Sequence, residues 1–126
     1  MLQSGQHLTT GEYLVSDNKS FFAIMQSDGN FVVYNGSGPF DNKGSIWSSQ
    51  TSWVGISFVG MEANGDLIVF KGSGPTDNKG ARWSSGTWKG GKSFAIMQDD
   101  GNFVVYKGSG PTDNKGATWS SKGGKV

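Results

Sequence analysis

Trp47, Trp83 and Trp119 stand 36 residues apart, and so do Met25, Met61 and Met97. The stretches GSGPFDNKG, GSGPTDNKG and GSGPTDNKG begin at Gly36, Gly72 and Gly108 on the same period. A fixed period without insertions predicts three superimposable units, none of which can bury its apolar face alone. The 126 residues are expected to form one domain, spanning 1–126 and built of three 36-residue repeats. A chain of this length buries roughly two-thirds of its unfolded surface, enough for a core without covalent staples. It has no cysteine, so a disulfide framework and a thiolate metal site are both excluded.

Within a unit the pattern is strand, tight turn, strand, loop, strand. Glycine accounts for 21 residues and aromatics for 13%, and no window shows helical spacing of apolar residues. The class is therefore all-β. In the first unit the turn is Ser27-Asp28-Gly29. A three-residue loop with Gly29 in the left-handed region pairs Gln26 with Asn30. That register puts Met25, Phe31 and Val33 on a core face. Gln26, Asn30, Val32 and Tyr34 then share the other face. The GSGPxDNKG stretch reads as a loop, from its Gly-Pro and Asn-Lys-Gly turn signals. The three periodic tryptophans are expected to meet near a pseudo-threefold axis, with their indole N–H groups bonded to neighbouring polar atoms. The strand of Trp119 has no following unit. It can close on His7 to Leu14, within one chain or across a homodimer by C-terminal strand exchange.

The net charge is +1 and lysines alternate with aspartates, which argues against nucleic acid and against a polybasic membrane patch. No apolar run approaches the roughly 18 residues of a spanning helix, so no membrane insertion is expected. The opening residues MLQSGQHLTT lack the pattern of a signal peptide. The compartment is thus left open, with extracellular action suggested by analogy alone.

Catalysis finds little to work with. His7 is the only histidine, which leaves almost nothing for a nucleophile–histidine arrangement. Asp99 and Asp100 are adjacent, and neighbours on a strand point to opposite faces. They therefore cannot flank one glycosidic bond. A calcium site from Asp41, Asn42 and their equivalents is conceivable. Each such stretch also carries a lysine, and turn formation explains Asp-Asn better. No enzyme activity, cofactor or metal is expected.

What is left is a polar set at fixed spacing. Gln26, Asp28, Asn30, Val32 and Tyr34 recur as Gln98, Asp100, Asn102, Val104 and Tyr106. Amides donate and accept, a carboxylate accepts and a phenol does either, which is what a sugar's hydroxyls require. The valine offers apolar surface to the sugar's C–H groups. The pattern Gln-x-Asp-x-Asn-x-Val-x-Tyr resembles the signature of the bulb-type, or monocot, mannose-binding lectins, and the likeness covers nearly the whole chain. The resemblance implies a β-prism II fold, three four-stranded antiparallel sheets around a pseudo-threefold axis. It also implies a non-catalytic lectin for terminal mannose or oligomannose glycans and glycoproteins. By the same resemblance Asp28 and Asn30 would bond the axial 2-hydroxyl, Gln26 the 3-hydroxyl and Tyr34 the 4-hydroxyl. Val32 would pack on the ring carbons. Asp100, Asn102, Gln98, Tyr106 and Val104 would repeat those roles.

The middle copy departs at all five positions, which read Glu62, Asn64, Asp66, Ile68 and Phe70. It is expected not to bind mannose. Other departures are the missing disulfide common among plant members and the 13-residue interval from Tyr34 to Trp47. The GSGPxDNKG stretch in that interval lies beside the tyrosine end of each site, where it would either contact a second sugar or hinder it. Trp53 and Trp88 fall outside the periodic series and are expected to pack at strand edges rather than serve as exposed platforms. Four hydrogen bonds and one apolar contact make a monosaccharide site of about millimolar affinity, roughly 4 kcal/mol. Avidity would then decide function. The rival reading is a sugar-independent protein-interaction or toxin-like module on the same fold.

Overall fold

Alternation of apolar residues with period two turns each repeat into a three-stranded meander, and a short fourth strand completes each sheet. The structure is a computed structural model describing residues 1–126. The first sheet runs β2 (Tyr13–Val15), β3 (Phe21–Met25), β4 (Phe31–Gly38), β5 (Asp41–Ser48). The second runs β1 (His7–Leu8), β6 (Ser57–Met61), β7 (Leu67–Gly74), β8 (Asp77–Ser84). In the third, β9 (Ser93–Met97) pairs with β10 (Phe103–Gly110), then β11 (Asp113–Ser120), then β12 (Gly124–Lys125). All pairings are antiparallel.

One cluster fills the space between the sheets. Met25, Phe31 and Val33, then Met61, Leu67 and Val69, then Met97, Phe103 and Val105 all belong to it. Trp47, Trp83 and Trp119 meet as expected, with ring centroids 5.2–5.4 Å apart and planes at 70–72°. Their N–H groups do not find the polar acceptors expected of them. Instead the three rings pack edge to face in a closed triangle, where each positive ring edge meets a negative face.

Ring closure also differs from expectation. The Trp119 strand pairs with β12, not with residues 7–14. The N-terminal segment visits all three sheets instead. Leu2 bridges Ala95 of β9, His7 and Leu8 pair with β6, and Tyr13–Val15 pair with β3.

The GSGPxDNKG stretches are not loops. Each is the end of a hairpin whose strands run eight residues a side and turn at Pro39-Phe40 or its equivalents. Register shifts after Val33, Tyr34 and Gly36 mark bulges that re-aim the strands. Gly36 has φ 121°, and a Cβ there would fall 1.8 Å from the Asp41 carbonyl oxygen. Gly72 and Gly108 repeat this crossing, so glycine is obligatory at one point of each arm. Asp41 holds the arm by accepting from Ser37 N–H and Oγ at 3.1 and 2.8 Å. These bonds, with Lys43 3.8 Å away, lower its pKa. Its carboxylate is thus occupied in turn formation.

Candidate functional site

The first site is organised by the turn between β3 and β4. Gln26 N–H donates to the Asn30 carbonyl and Gly29 N–H to the Gln26 carbonyl, with Gly29 at φ 94°. This is the three-residue loop that pairs Gln26 with Asn30. Asp28 Oδ1 accepts the Asn30 N–H at 2.9 Å, closing an Asx turn. Asn30 Oδ1 accepts the Thr51 N–H and the Ser49 hydroxyl, each at 3.2 Å. Ser49 Oγ in turn accepts the Phe31 N–H at 3.0 Å. Each side chain is therefore divided between two tasks. One Asp28 oxygen and the Asn30 oxygen hold the turn and the loop after Trp47. The other Asp28 oxygen receives only a long bond from Gln26 Nε2 at 3.3 Å, and the Asn30 amide nitrogen makes no bond at all.

Tyr34 is set by stacking on Phe22, with centroids 5.1 Å apart and planes at 21°. Its hydroxyl donates to Gln26 Oε1. Burial first, and then the charge of Asp28, raise its pKa. Val32 shares the face between Asn30 and Tyr34, and the Gln26–Tyr34 bond spans it. Only 2% of its surface is exposed, so it forms a floor that is already largely covered.

The third unit repeats the scheme. Asp100 Oδ1 accepts Asn102 N–H at 2.9 Å, and Asn102 Oδ1 accepts Lys122 N–H at 3.0 Å and Ser121 Oγ at 3.3 Å. Gln98 Nε2 bonds the Tyr106 hydroxyl, and Tyr106 stacks on Phe94. Val104 is buried like Val32. Asp99 and Asp100 lie in the turn rather than on a strand. They face different partners for that reason, since Asp99 Oδ1 accepts the Asn18 N–H at 2.9 Å.

The middle unit keeps the scaffold and inverts the rest. Asn64 Oδ1 takes over the Asx turn by accepting Asp66 N–H at 3.0 Å. Asp66 Oδ1 anchors the next loop by accepting Gly86 N–H, Thr87 N–H and Ser85 Oγ. Its other oxygen accepts Ser84 Oγ at 2.8 Å, where the intact units present a free amide nitrogen. Phe70 stacks on Phe58 at 5.0 Å but has no hydroxyl. Glu62 folds over Gly60, so that a Cβ on Gly60 would meet its carboxylate at 2.7 Å. Burial there, and the neighbouring Asp66 charge, raise the Glu62 pKa, with His7 opposing them.

No protein-family model matches the chain, and no curated protein sequence does. Solved structures do. The mannose-specific agglutinin of snowdrop (Galanthus nivalis) bulbs, solved with methyl-α-D-mannoside, superposes with a TM-score of 0.65 at 33% identity. The match covers 83% of this chain and 86% of the agglutinin. The chain belongs to the bulb-type (monocot) mannose-binding lectin family. A monomeric mannose-binding lectin of Gastrodia elata superposes on 99% of this lectin and 97% of its own length, with TM-score 0.70 and 28% identity. The Marasmius oreades lectin, at 23% identity and TM-score 0.71 over 95% and 87% of the two chains, shares the fold. The three-sheet architecture is thus β-prism II, and the family is one of non-catalytic carbohydrate-binding proteins.

Three sets of site residues escaped the sequence reading of this lectin. The first is the stacking partners Phe22, Phe58 and Phe94. The second is the buried serines Ser49 and Ser85 with their counterpart Ser121, the second of each Ser-Ser pair after a periodic Trp. The third is the cross-strand partner of the floor, Ile24 opposite Val32 and Ile96 opposite Val104, but Gly60 opposite Ile68. The first two recur at 36 residues and the third in two units of three, so extending the period from the signature to its flanks would have found them. Trp53 and Trp88 were expected at packed strand edges. They are instead 73% and 53% exposed, on the loops that follow β5 and β8.

Proposed function

We propose that this lectin recognises terminal mannose and oligomannose glycans through two sites, and that the middle unit has lost that ligand. The first site is Gln26, Asp28, Asn30, Val32 and Tyr34, and the second is Gln98, Asp100, Asn102, Val104 and Tyr106. One observation carries the reading. In both units the fold consumes the Asn oxygen and one Asp oxygen, which leaves an amide donor beside a carboxylate acceptor over an aliphatic floor. A hydroxyl seated there would donate to the carboxylate and accept from the amide. An equatorial epimer would leave these groups unpaired, which costs about 1–3 kcal/mol. In the middle unit Asp66 Oδ2 is already bonded and the phenol is absent. Its hairpin serves the fold alone.

The two sites sit on one domain of three repeats, and the leading mode of action is multivalent binding. Exchange of the two-residue C-terminal strand between copies would form a homodimer with four sites. Sedimentation of the full chain against a chain ending before Gly124 tests this, since only the former would dimerise.

The decisive experiment is an amide NMR titration with mannose, with glucose and galactose in parallel. Saturable shifts confined to residues 26–34 and 98–106, absent with galactose, are expected. Absence of any shift up to tens of millimolar, about tenfold above the affinity expected of such a site, would overturn the reading. The sugar-independent interaction module would then stand in its place.

A further inference from the structure

The loop after β8 faces the third sheet across a cleft of about 410 Å³ that no signature residue lines. Trp88 forms one wall, and Lys89, Lys107, Thr118 and Lys125 complete it. The volume falls in the range of small-molecule sites, about 300–1,000 Å³.

Two features set this cleft apart from ordinary surface. Its aromatic platform is fixed from beneath. Asp66 accepts the N–H groups of Gly86 and Thr87, Thr87 Oγ1 donates to the Gly65 carbonyl at 2.7 Å, and Gly90 N–H closes back on Thr87. Its charge is also uncompensated. The ion pairs of the chain are Lys43–Asp41, Lys79–Asp77 and Lys115–Asp113, all on the hairpin arms. Lys89, Lys107 and Lys125 have no such partner. No aspartate or glutamate lines the cleft, so its side chains carry a surplus of positive charge. Trp88 is 53% exposed, and Lys125 Nζ lies 5.4 Å over its ring, so an incoming anionic group would draw this flexible ammonium off the ring and onto itself.

We propose that this cleft is a separate site for an acidic sugar, a hexuronate or sulfated hexose. The C–H face of the sugar lies on Trp88 and its anionic group lies among Lys89, Lys107 and Lys125. An indole supplies the apolar contact and the ammonium groups supply charge-assisted hydrogen bonds. A neutral hexose would gain only the first. This site is independent of the mannose reading, because the two share no residue.

The test is an indole and amide NMR titration of the full chain with sodium glucuronate to about 50 mM at constant ionic strength, well above the millimolar range of single-sugar sites. Glucose and acetate are titrated in parallel, and W88F assigns the Trp88 signal. The expected result is a saturable shift of the Trp88 indole and of the Lys107 and Thr118 amides with glucuronate. It exceeds either control about fivefold, with residues 26–34 and 98–106 unmoved. W88A abolishes the response and K107Q/K125Q weakens affinity about fivefold, roughly 1 kcal/mol. An equal response to acetate would reduce the cleft to a bare anion site and overturn the proposal. So would an equal response to glucose, no response, or an unchanged response in W88A with the signature amides intact. Mannose acting at the signature residues while glucuronate fails would remove this inference and leave the mannose reading standing.

Discussion

Asn30 and Thr51 are joined by a 3.2 Å hydrogen bond in which the side-chain oxygen of Asn30 accepts the Thr51 backbone N–H. The bond ties the signature hairpin to the loop behind it, and it commits one end of the amide to the fold. Aspartate can make the same bond, as Asp66 does with Thr87. Only asparagine has a donor left over.

Asn30→Asp should therefore separate fold from function. Its denaturation midpoint should stay close to that of the parent, while mannose shifts at residues 26–34 vanish and those at 98–106 persist. Asn30→Ala removes the acceptor as well and should cost about 1–3 kcal/mol of stability, read by urea denaturation.

Tyr34→Phe keeps the stack on Phe22 and removes only the hydroxyl. Loss of its bond to Gln26 Oε1 should cost stability no more than about 0.5–1.5 kcal/mol. Affinity at the first site should fall about 3- to 10-fold, the worth of one ordinary hydrogen bond of roughly 0.5–1.5 kcal/mol, as measured by NMR titration.

Restoring the middle site should need six changes rather than five. Glu62→Gln, Asn64→Asp, Asp66→Asn, Ile68→Val and Phe70→Tyr rebuild the signature, yet Gly60 leaves the floor without the isoleucine present at 24 and 96. Adding Gly60→Ile should produce mannose shifts at residues 62–70 that the fivefold variant lacks or shows only weakly.

Glu62 gives a pH-dependent test. Burial and Asp66 raise its pKa from the model-compound value of 4.5, so the folded state binds its proton more tightly than the unfolded state. That contribution is full below about pH 4.5 and is lost as pH rises through the raised value. Glu62→Gln should therefore raise the urea midpoint at pH 7, and its advantage should shrink toward pH 4.

The tryptophans should divide sharply. Trp47→Ala opens the triangle at the axis and should cost about 3–5 kcal/mol. Trp53→Ala, at an exposed loop position, should change stability by no more than about 0.5 kcal/mol. Paired thermal melts decide the matter.

The sequence was most legible where a residue answers to one constraint. Met25, Phe31 and Val33 alternate with polar neighbours, so the core face could be read directly, and the period located the tryptophan triangle. The signature was legible because its residue types recur at fixed spacing, intact in two of the three units. Legibility failed where the constraint comes from elsewhere in the chain. GSGPxDNKG carries turn residues throughout, yet the first glycine of each copy serves a close strand crossing at Asp41, Asp77 or Asp113, which spacing alone does not reveal. The Trp119 strand was assigned the wrong partner because β12 is two residues of Gly-Lys, too short to carry a periodic signal. Trp53 and Trp88 misled because large aromatics are ordinarily buried, and nothing local marks those that are not.

The reach of the first fifteen residues has a consequence for how the ring comes together. Leu2 and Ala95 exchange two backbone hydrogen bonds of 2.8 Å, while Leu8 joins Val59 and Leu14 joins Ala23. A stack of repeats can nucleate anywhere and grow by neighbours. Here the first and second sheets take their fourth strand from the N-terminal stretch, and the same stretch bridges the third at Leu2. Closing those contacts spans most of the chain, and such long-range closure is slow. The molecule is threefold in appearance but has a single seam. Lengthening the array by a fourth repeat would require a longer strap as well as another copy of the unit.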